Sequence, residues 1–263
     1  MKSKTLLGSF LVAVFALTAI VYVFKFSNLA GNVLFLISPF MAVIAAISAV
    51  RTYQLSNNHG RVIALLSAGL LCWFIGEFIF FLFQFVWHIE PYPSIADIFY
   101  LAGYPLLFAG LIKEIRDHKV SWHNFNKLTL TFIVLLLLLL SIIVLYFGVF
   151  LAYTAGDPVM SNLISTAYGI GDLILIVPSL FILKIALDYR GGKLYNSWMM
   201  ILSALMLMLT GDILFAIFKD NYSDLLWPYT LIDLLYVASY LLFAYSFFYT
   251  AATIKGLHSK LIK

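Results

Sequence analysis

PSIADIFYLAGYPLLFAGLI, residues 93–112, holds a single carboxylic acid, Asp97, in a run otherwise apolar enough to cross a bilayer. Tyr100 and Tyr104 follow it at i+3 and i+7. Residues at those spacings share one face of a helix. The stretch therefore reads as a membrane helix with an acid–tyrosine stripe. An ionisable side chain at the centre of such a helix costs on the order of 2.5–3.5 kcal/mol on insertion scales. Asp97 needs a partner inside the protein.

Working outward, four more acids sit in equally apolar surroundings: Glu77 in WFIGEF, Asp172 in YGIGDLIL, Asp212 in LTGDILF and Asp233 in LIDLLYVASY. No basic residue shares their depth. Exposed to lipid, five acids would cost roughly 12–17 kcal/mol, more than the net stability of many domains. They must face one another, tyrosines, water or a bound cation. Tyr236 and Tyr240 stand to Asp233 as Tyr100 and Tyr104 stand to Asp97, and Tyr168 precedes Asp172 by one helical turn. A phenol can donate a hydrogen bond to a carboxylate, and an aromatic wall favours a cationic ligand. The same residues also serve as plain interhelical glue, with protonated acids bonded to tyrosines.

The 263 residues are 63% hydrophobic and 11% charged, with a mean hydropathy of +1.02. That composition excludes a soluble domain. Apolar runs at about residues 5–24, 32–50, 62–86, 95–112, 128–152, 162–184, 197–218 and 226–250 are each long enough to span a bilayer. The expected fold is an all-α bundle of eight transmembrane helices. Only short loops and a short tail remain, leaving no room for a soluble catalytic or DNA-binding domain. The first run lacks a small-residue cleavage site before Lys25 and reads as a membrane helix, not a signal peptide. Cys72 is the one cysteine, so no internal disulfide can form.

Basic residues set the orientation. Lys2, Lys4, Arg51, Arg61, Lys113, Arg116, Lys119, Lys127, Lys184, Arg190, Lys193, Lys255, Lys260 and Lys263 fall on one side, and Lys25 and Lys219 complete the 16 on the other. Both termini are expected to be cytoplasmic, in the plasma membrane. The net charge of +4 is then a topology signal, and no nucleic-acid partner is implied.

The chain also reads as two parallel four-helix repeats, 1–120 and 121–263. Gly76-Glu77-Phe78-Ile79-Phe80 matches Gly211-Asp212-Ile213-Leu214-Phe215, and the stretch from Ala96 to Tyr104 matches that from Ile232 to Tyr240. Counting inward from the helix ends at about 1.5 Å per residue places all five acids between the outer surface and the midplane. They are expected to line one outward-facing pocket. Trp87, Trp122, Trp198 and Trp227 read as interfacial belt residues. Pro39, Pro105, Pro178 and Pro228 can kink helices to open space. No lysine lies mid-helix for a retinal Schiff base, and no histidine is expected within a span, which argues against haem and His-dependent zinc chemistry. His59 is placed in a cytoplasmic loop. No cofactor or metal is expected.

Pro93-Ser94-Ile95-Ala96-Asp97 through Leu107, with Tyr168 to Asp172, resembles the multi-helix membrane region at the N-terminus of some bacterial diguanylate cyclases and phosphodiesterases, the GGDEF and EAL proteins. The resemblance covers helices 3–8 and implies a sensory or ligand-binding module. This chain stops at Lys263 with no such output domain, so a separate cytoplasmic partner would have to carry the signal. Gly169-Ile170-Gly171-Asp172 resembles the GxGD motif of intramembrane aspartyl proteases of the presenilin type. That likeness implies Asp172 as one catalytic acid, with Asp212 or Asp233 as its partner. A fainter similarity runs to lysoplasmalogenase-type membrane hydrolases.

The leading expectation is a stand-alone sensory or ligand-binding membrane module. Its pocket is formed by Glu77, Asp97, Tyr100, Tyr104, Tyr168, Asp172, Asp212, Asp233, Tyr236 and Tyr240, and takes a small cationic or lipid-like ligand. A cation- or proton-coupled transporter is the second reading. An aspartyl hydrolase using Asp172 is the third.

Overall fold

A computed structural model describes residues 2–119, 125–151, 158–188, 195–218 and 228–261, with 153, 190–192 and 222 between them. Trp122, His123, Lys193, Lys219, Trp227 and Lys263 lie outside these residues. The described residues are helical and contain no strand. In chain order the helices are α1 (Lys2–Val23), α2 (Asn28–Tyr53), α3 (Asn58–Phe81), α4 (Ile95–Asp117), α5 (Lys127–Ile143), α6 (Val159–Asp188), α7 (Tyr195–Ile217) and α8 (Tyr229–Leu261). Wider π-helical turns extend α3 through Leu82–Trp87 and α5 through Val144–Phe150. Among the described residues, eight helices are long and apolar enough to cross a membrane, the composition of a multi-pass membrane protein.

Polar residues at the margins start the helices. Ser27, Asn57 and Asn126 accept hydrogen bonds from the backbone amides of Ala30, His59 and Thr129. Each satisfies a donor that the first turn leaves orphaned. At α4 the cap is reciprocal: Ser94 Oγ accepts from the Ala96 amide at 3.1 Å, and Asp97 Oδ2 accepts from the Ser94 amide at 2.6 Å. Pro39 cannot donate to the carbonyl of Phe35. The Ser38 hydroxyl takes over that bond at 2.7 Å.

α8 lies against α1, α2 and α7; α3 pairs with α2 and α4; α4 reaches α6, and α6 reaches α7. The α3–α4 seam is built on small residues. A Cβ on Gly110 would meet Leu66 at 2.8 Å, and one on Gly69 would meet Leu107 at 2.6 Å. Close backbone approach is how membrane helices gain contact without a hydrophobic driving force. Across the α7–α8 seam, Ser239 Oγ donates to the Ala204 carbonyl, Ser246 Oγ to the Ser197 carbonyl and Thr250 Oγ1 to Ser197 Oγ. Leu128, Phe132, Leu135 and Ile142 on α5 face outward, as lipid contact requires.

Two expectations are corrected at the basic helix ends. His59 belongs to the first turn of α3, within the candidate span, because Asn57 caps that helix before it. Its Nδ1 pairs at 3.1 Å with Glu114 Oε2, a further buried acid that follows the apolar run of α4. Trp198, read as an interfacial belt residue, is buried with its ring edge-on to His59 and does not face outward.

Candidate functional site

Each of the five predicted acids accepts a hydrogen bond from a tyrosine that lies outside the acid's own helix. Tyr100 Oη donates to Glu77 Oε2 at 2.8 Å, and Tyr240 Oη donates to Glu77 Oε1 at 3.0 Å. Tyr104 Oη donates to Asp172 Oδ1 at 3.0 Å, Tyr168 Oη to Asp97 Oδ1 at 2.6 Å and Tyr236 Oη to Asp212 Oδ1 at 2.9 Å. Tyr222 Oη donates to Asp233 Oδ1 at 2.7 Å. The ten residues fall into separate hydrogen-bonded groups spread over α3, α4, α6, α7 and α8: Tyr100–Glu77–Tyr240, Tyr104–Asp172 with Tyr236–Asp212, Tyr168–Asp97, and Asp233 with Tyr222. Tyr168 turns away from Asp172, its neighbour one turn along α6, and reaches α4 instead.

Glycine makes room for this pattern. A Cβ on Gly76 would come within 2.8 Å of the Tyr100 ring, one on Gly171 within 2.7 Å of Tyr104, and one on Gly211 within 2.5 Å of Tyr236. Each tyrosine lays its ring on the glycine and its hydroxyl on the acid next in sequence. The Gly-Glu and Gly-Asp pairs are therefore sockets for an incoming tyrosine. This gives the GxGD string a packing role on top of any chemical one.

The six carboxyl-bound phenols differ in setting. Asp97 caps α4 as well as accepting from Tyr168, so its placement in an apolar run is already offset by three donors. The Asp172 and Asp212 carboxyls lie within hydrogen-bonding reach of each other. Two carboxyls can bond only through a proton held between them. Beside Asp172, between Leu140 of α5, Ile176 and Ser179 of α6 and Leu205 and Leu209 of α7, is a cavity of about 30 Å³. A space of that size takes a water molecule.

Sequence reasoning missed the surroundings of Asp233. Tyr22 from α1 and Tyr229 from α8 crowd the same carboxyl as Tyr222. Tyr22 packs edge-on to Tyr229 at 5.7 Å between ring centres, and Tyr222 to Tyr229 at 5.1 Å. Asn32 of α2 donates to Tyr229 Oη at 3.0 Å. Yet Asp233 Oδ2 and Tyr22 Oη, both buried, complete no hydrogen bond of good geometry. Burial, with Asp233 beside it, pushes the Tyr222 phenol well above its ordinary range, so it acts as a donor. Tyr229 was within reach of the i, i+4 reasoning applied to Tyr168. Tyr22 and Tyr222 carried no signal, because one lies two hundred residues away and the other in a connection.

Among the described residues, no group of three or more His, Cys, Asp or Glu side chains has the arrangement of a metal site. No family model, curated protein or solved structure matches this chain.

Proposed function

We propose that this chain is an integral membrane sensory or ligand-binding module whose sensing element is the acid–tyrosine layer. Its ligand is a small cation, entering from the side of the bundle opposite the basic helix ends. The observation that carries this reading is Glu77, held at once by Tyr100 of α4 and Tyr240 of α8. A cation that engages Glu77 competes with either phenol and loosens α3 from α4 or from α8. Carboxylates with no base among them, surrounded by phenol rings, favour a desolvated cation over any other ligand class. Exchange of hydrogen-bond partners is discrete, so the two arrangements form the two states a sensor needs. Reading residues 1–120 and 121–263 as repeats makes Glu77 one of the points where the halves meet, and the one held from both sides. The far ends of α3 and α4, tied by His59 and Glu114, then present the change to a separate cytoplasmic partner.

The test is thermal unfolding of the purified chain with ammonium, sodium, choline and putrescine in turn. One of these cations should raise the unfolding temperature; Glu77→Gln should abolish the shift, and so should Asp212→Asn with Asp233→Asn together. If no cation shifts the wild type, or the Glu77→Gln variant shifts equally, the reading fails.

A second reading, an intramembrane aspartyl hydrolase, is favoured by the contact of Asp172 with Asp212 beside a water-sized cavity. Such a pair shares a proton and activates water. Asp212 is the partner on this reading, since Asp233 is engaged by Tyr222. Cleavage of a fluorogenic membrane-helix peptide that survives Asp172→Asn would remove it.

A further inference from the structure

On the outer face of α2, Val33, Ile37, Phe40, Ile44 and Ile47 are all exposed. Their spacing of four, three, four and three residues makes one continuous apolar stripe along the helix. The next position on that stripe is Arg51. There the stripe runs into a groove of about 480 Å³ between α2 and α8, lined by Ile44, Ile47, Ser48, Arg51, Thr52 and Lys255. Its size falls in the roughly 300–1,000 Å³ range of sites that hold small molecules.

Two cations from two helices therefore converge on one groove whose floor is apolar. Among the described residues neither Arg51 nor Lys255 forms an ion pair. Thr52 Oγ1 spends its proton on the Ser48 carbonyl, which leaves its oxygen as an acceptor, and the Ser48 hydroxyl stands beside it. An unneutralised pair of bases at the end of an apolar track matches one chemistry, an anionic headgroup continued by a hydrocarbon chain.

We infer that this groove binds an anionic phospholipid, with the phosphate against Arg51 and Lys255 and an acyl chain along the Ile47–Ile44–Phe40 stripe. A free phosphate would satisfy the bases but leave the stripe without an occupant, which favours the lipid as the source. Neither base belongs to the acid–tyrosine layer, so the site stands independently of the sensing reading.

The test measures lipid binding to the detergent-solubilised full chain by native mass spectrometry. Phosphatidylglycerol is compared with phosphatidylcholine of the same acyl chains, with glycerol phosphate as a third probe. Wild-type protein should prefer phosphatidylglycerol. Arg51→Gln and Lys255→Gln should each weaken it about fivefold, and together roughly thirtyfold, at the strength of a basic residue near an anionic surface. Phosphatidylcholine binding should not change, which also shows that the variants are folded. Ile47→Asn should weaken phosphatidylglycerol without altering charge. Arg116→Gln with Lys119→Gln, at exposed positions in the last turn of α4 and just beyond it, should leave the preference intact. Equal binding of the two lipids by wild type would overturn the inference. So would a preference that survives in the double variant, an equal loss in the α4 control, or glycerol phosphate binding as well as the lipid.

Discussion

Replacing Gly211 by alanine should separate Tyr236 from Asp212. The new Cβ would sit 2.5 Å from the Tyr236 ring, too close for any real contact. The ring must withdraw, taking its hydroxyl from Asp212 Oδ1, now 2.9 Å away. Losing a hydrogen bond within a membrane protein costs about 0.6–1.7 kcal/mol. Overpacking a buried site adds about 1–3 kcal/mol. Alanine returns about 1 kcal/mol as the better helix former. The net is a loss of about 1–4 kcal/mol. Gly8→Ala is the control, because its Cβ would meet Tyr245 at an ordinary 3.5 Å. It should be neutral or slightly stabilising. Reversible unfolding in bicelles by added SDS gives the readout. In the wild type Tyr236→Phe should cost about 0.6–1.7 kcal/mol; in the Gly211→Ala background it should cost nearly nothing, since the bond is already gone. A neutral Gly211→Ala, or a double variant equal to the sum of the singles, would refute the reasoning.

Three more outcomes follow from the same layer and its margins. Tyr100→Phe and Tyr240→Phe should each be mild, about 0.6–1.7 kcal/mol by the same unfolding assay. Together they strip both donors from Glu77 and should exceed their sum by at least about 0.5 kcal/mol; additivity would mean that the two phenols do not share the carboxyl. Asp172→Asn should be tolerated to within about 1 kcal/mol, because an amide can donate to Asp212 without a shared proton, whereas Asp172→Leu should cost about 1–3 kcal/mol by orphaning Tyr104 and Asp212. Ser94→Ala removes one side of the α4 cap and should cost about 0.5–2 kcal/mol, with faster amide exchange confined to the first turn of α4.

The spans were legible in the sequence because a helix that meets lipid has to be apolar over its whole length, and any stretch of about 20 such residues announces itself. The ends were less legible. Apolar runs mark where hydrocarbon stops, while helices stop where a cap ends the ladder. For that reason α3 begins at Asn58 and takes in His59, and α4 runs on to Asp117 and buries Glu114. The five acids were legible because each is anomalous where it stands. Most of their tyrosine partners were found by helical spacing, but who bonds whom was not. Tyr168 and Asp172 share a face of α6, yet Tyr168 bonds Asp97 and Asp172 takes Tyr104.

By itself, the sequence determined that this chain is an all-helical membrane bundle, and that its carboxyls must be satisfied within the protein. Both follow from the cost of placing a polar or charged group in hydrocarbon, a quantity each residue carries with it. Only the tertiary structure decided the pairing: Glu77 between two tyrosines, Asp172 against Asp212, and Asp233 among Tyr22, Tyr222 and Tyr229. Those choices depend on how closely neighbouring helices approach at Gly76, Gly171 and Gly211. Approach is a property of two surfaces packed together, which no single stretch of sequence contains.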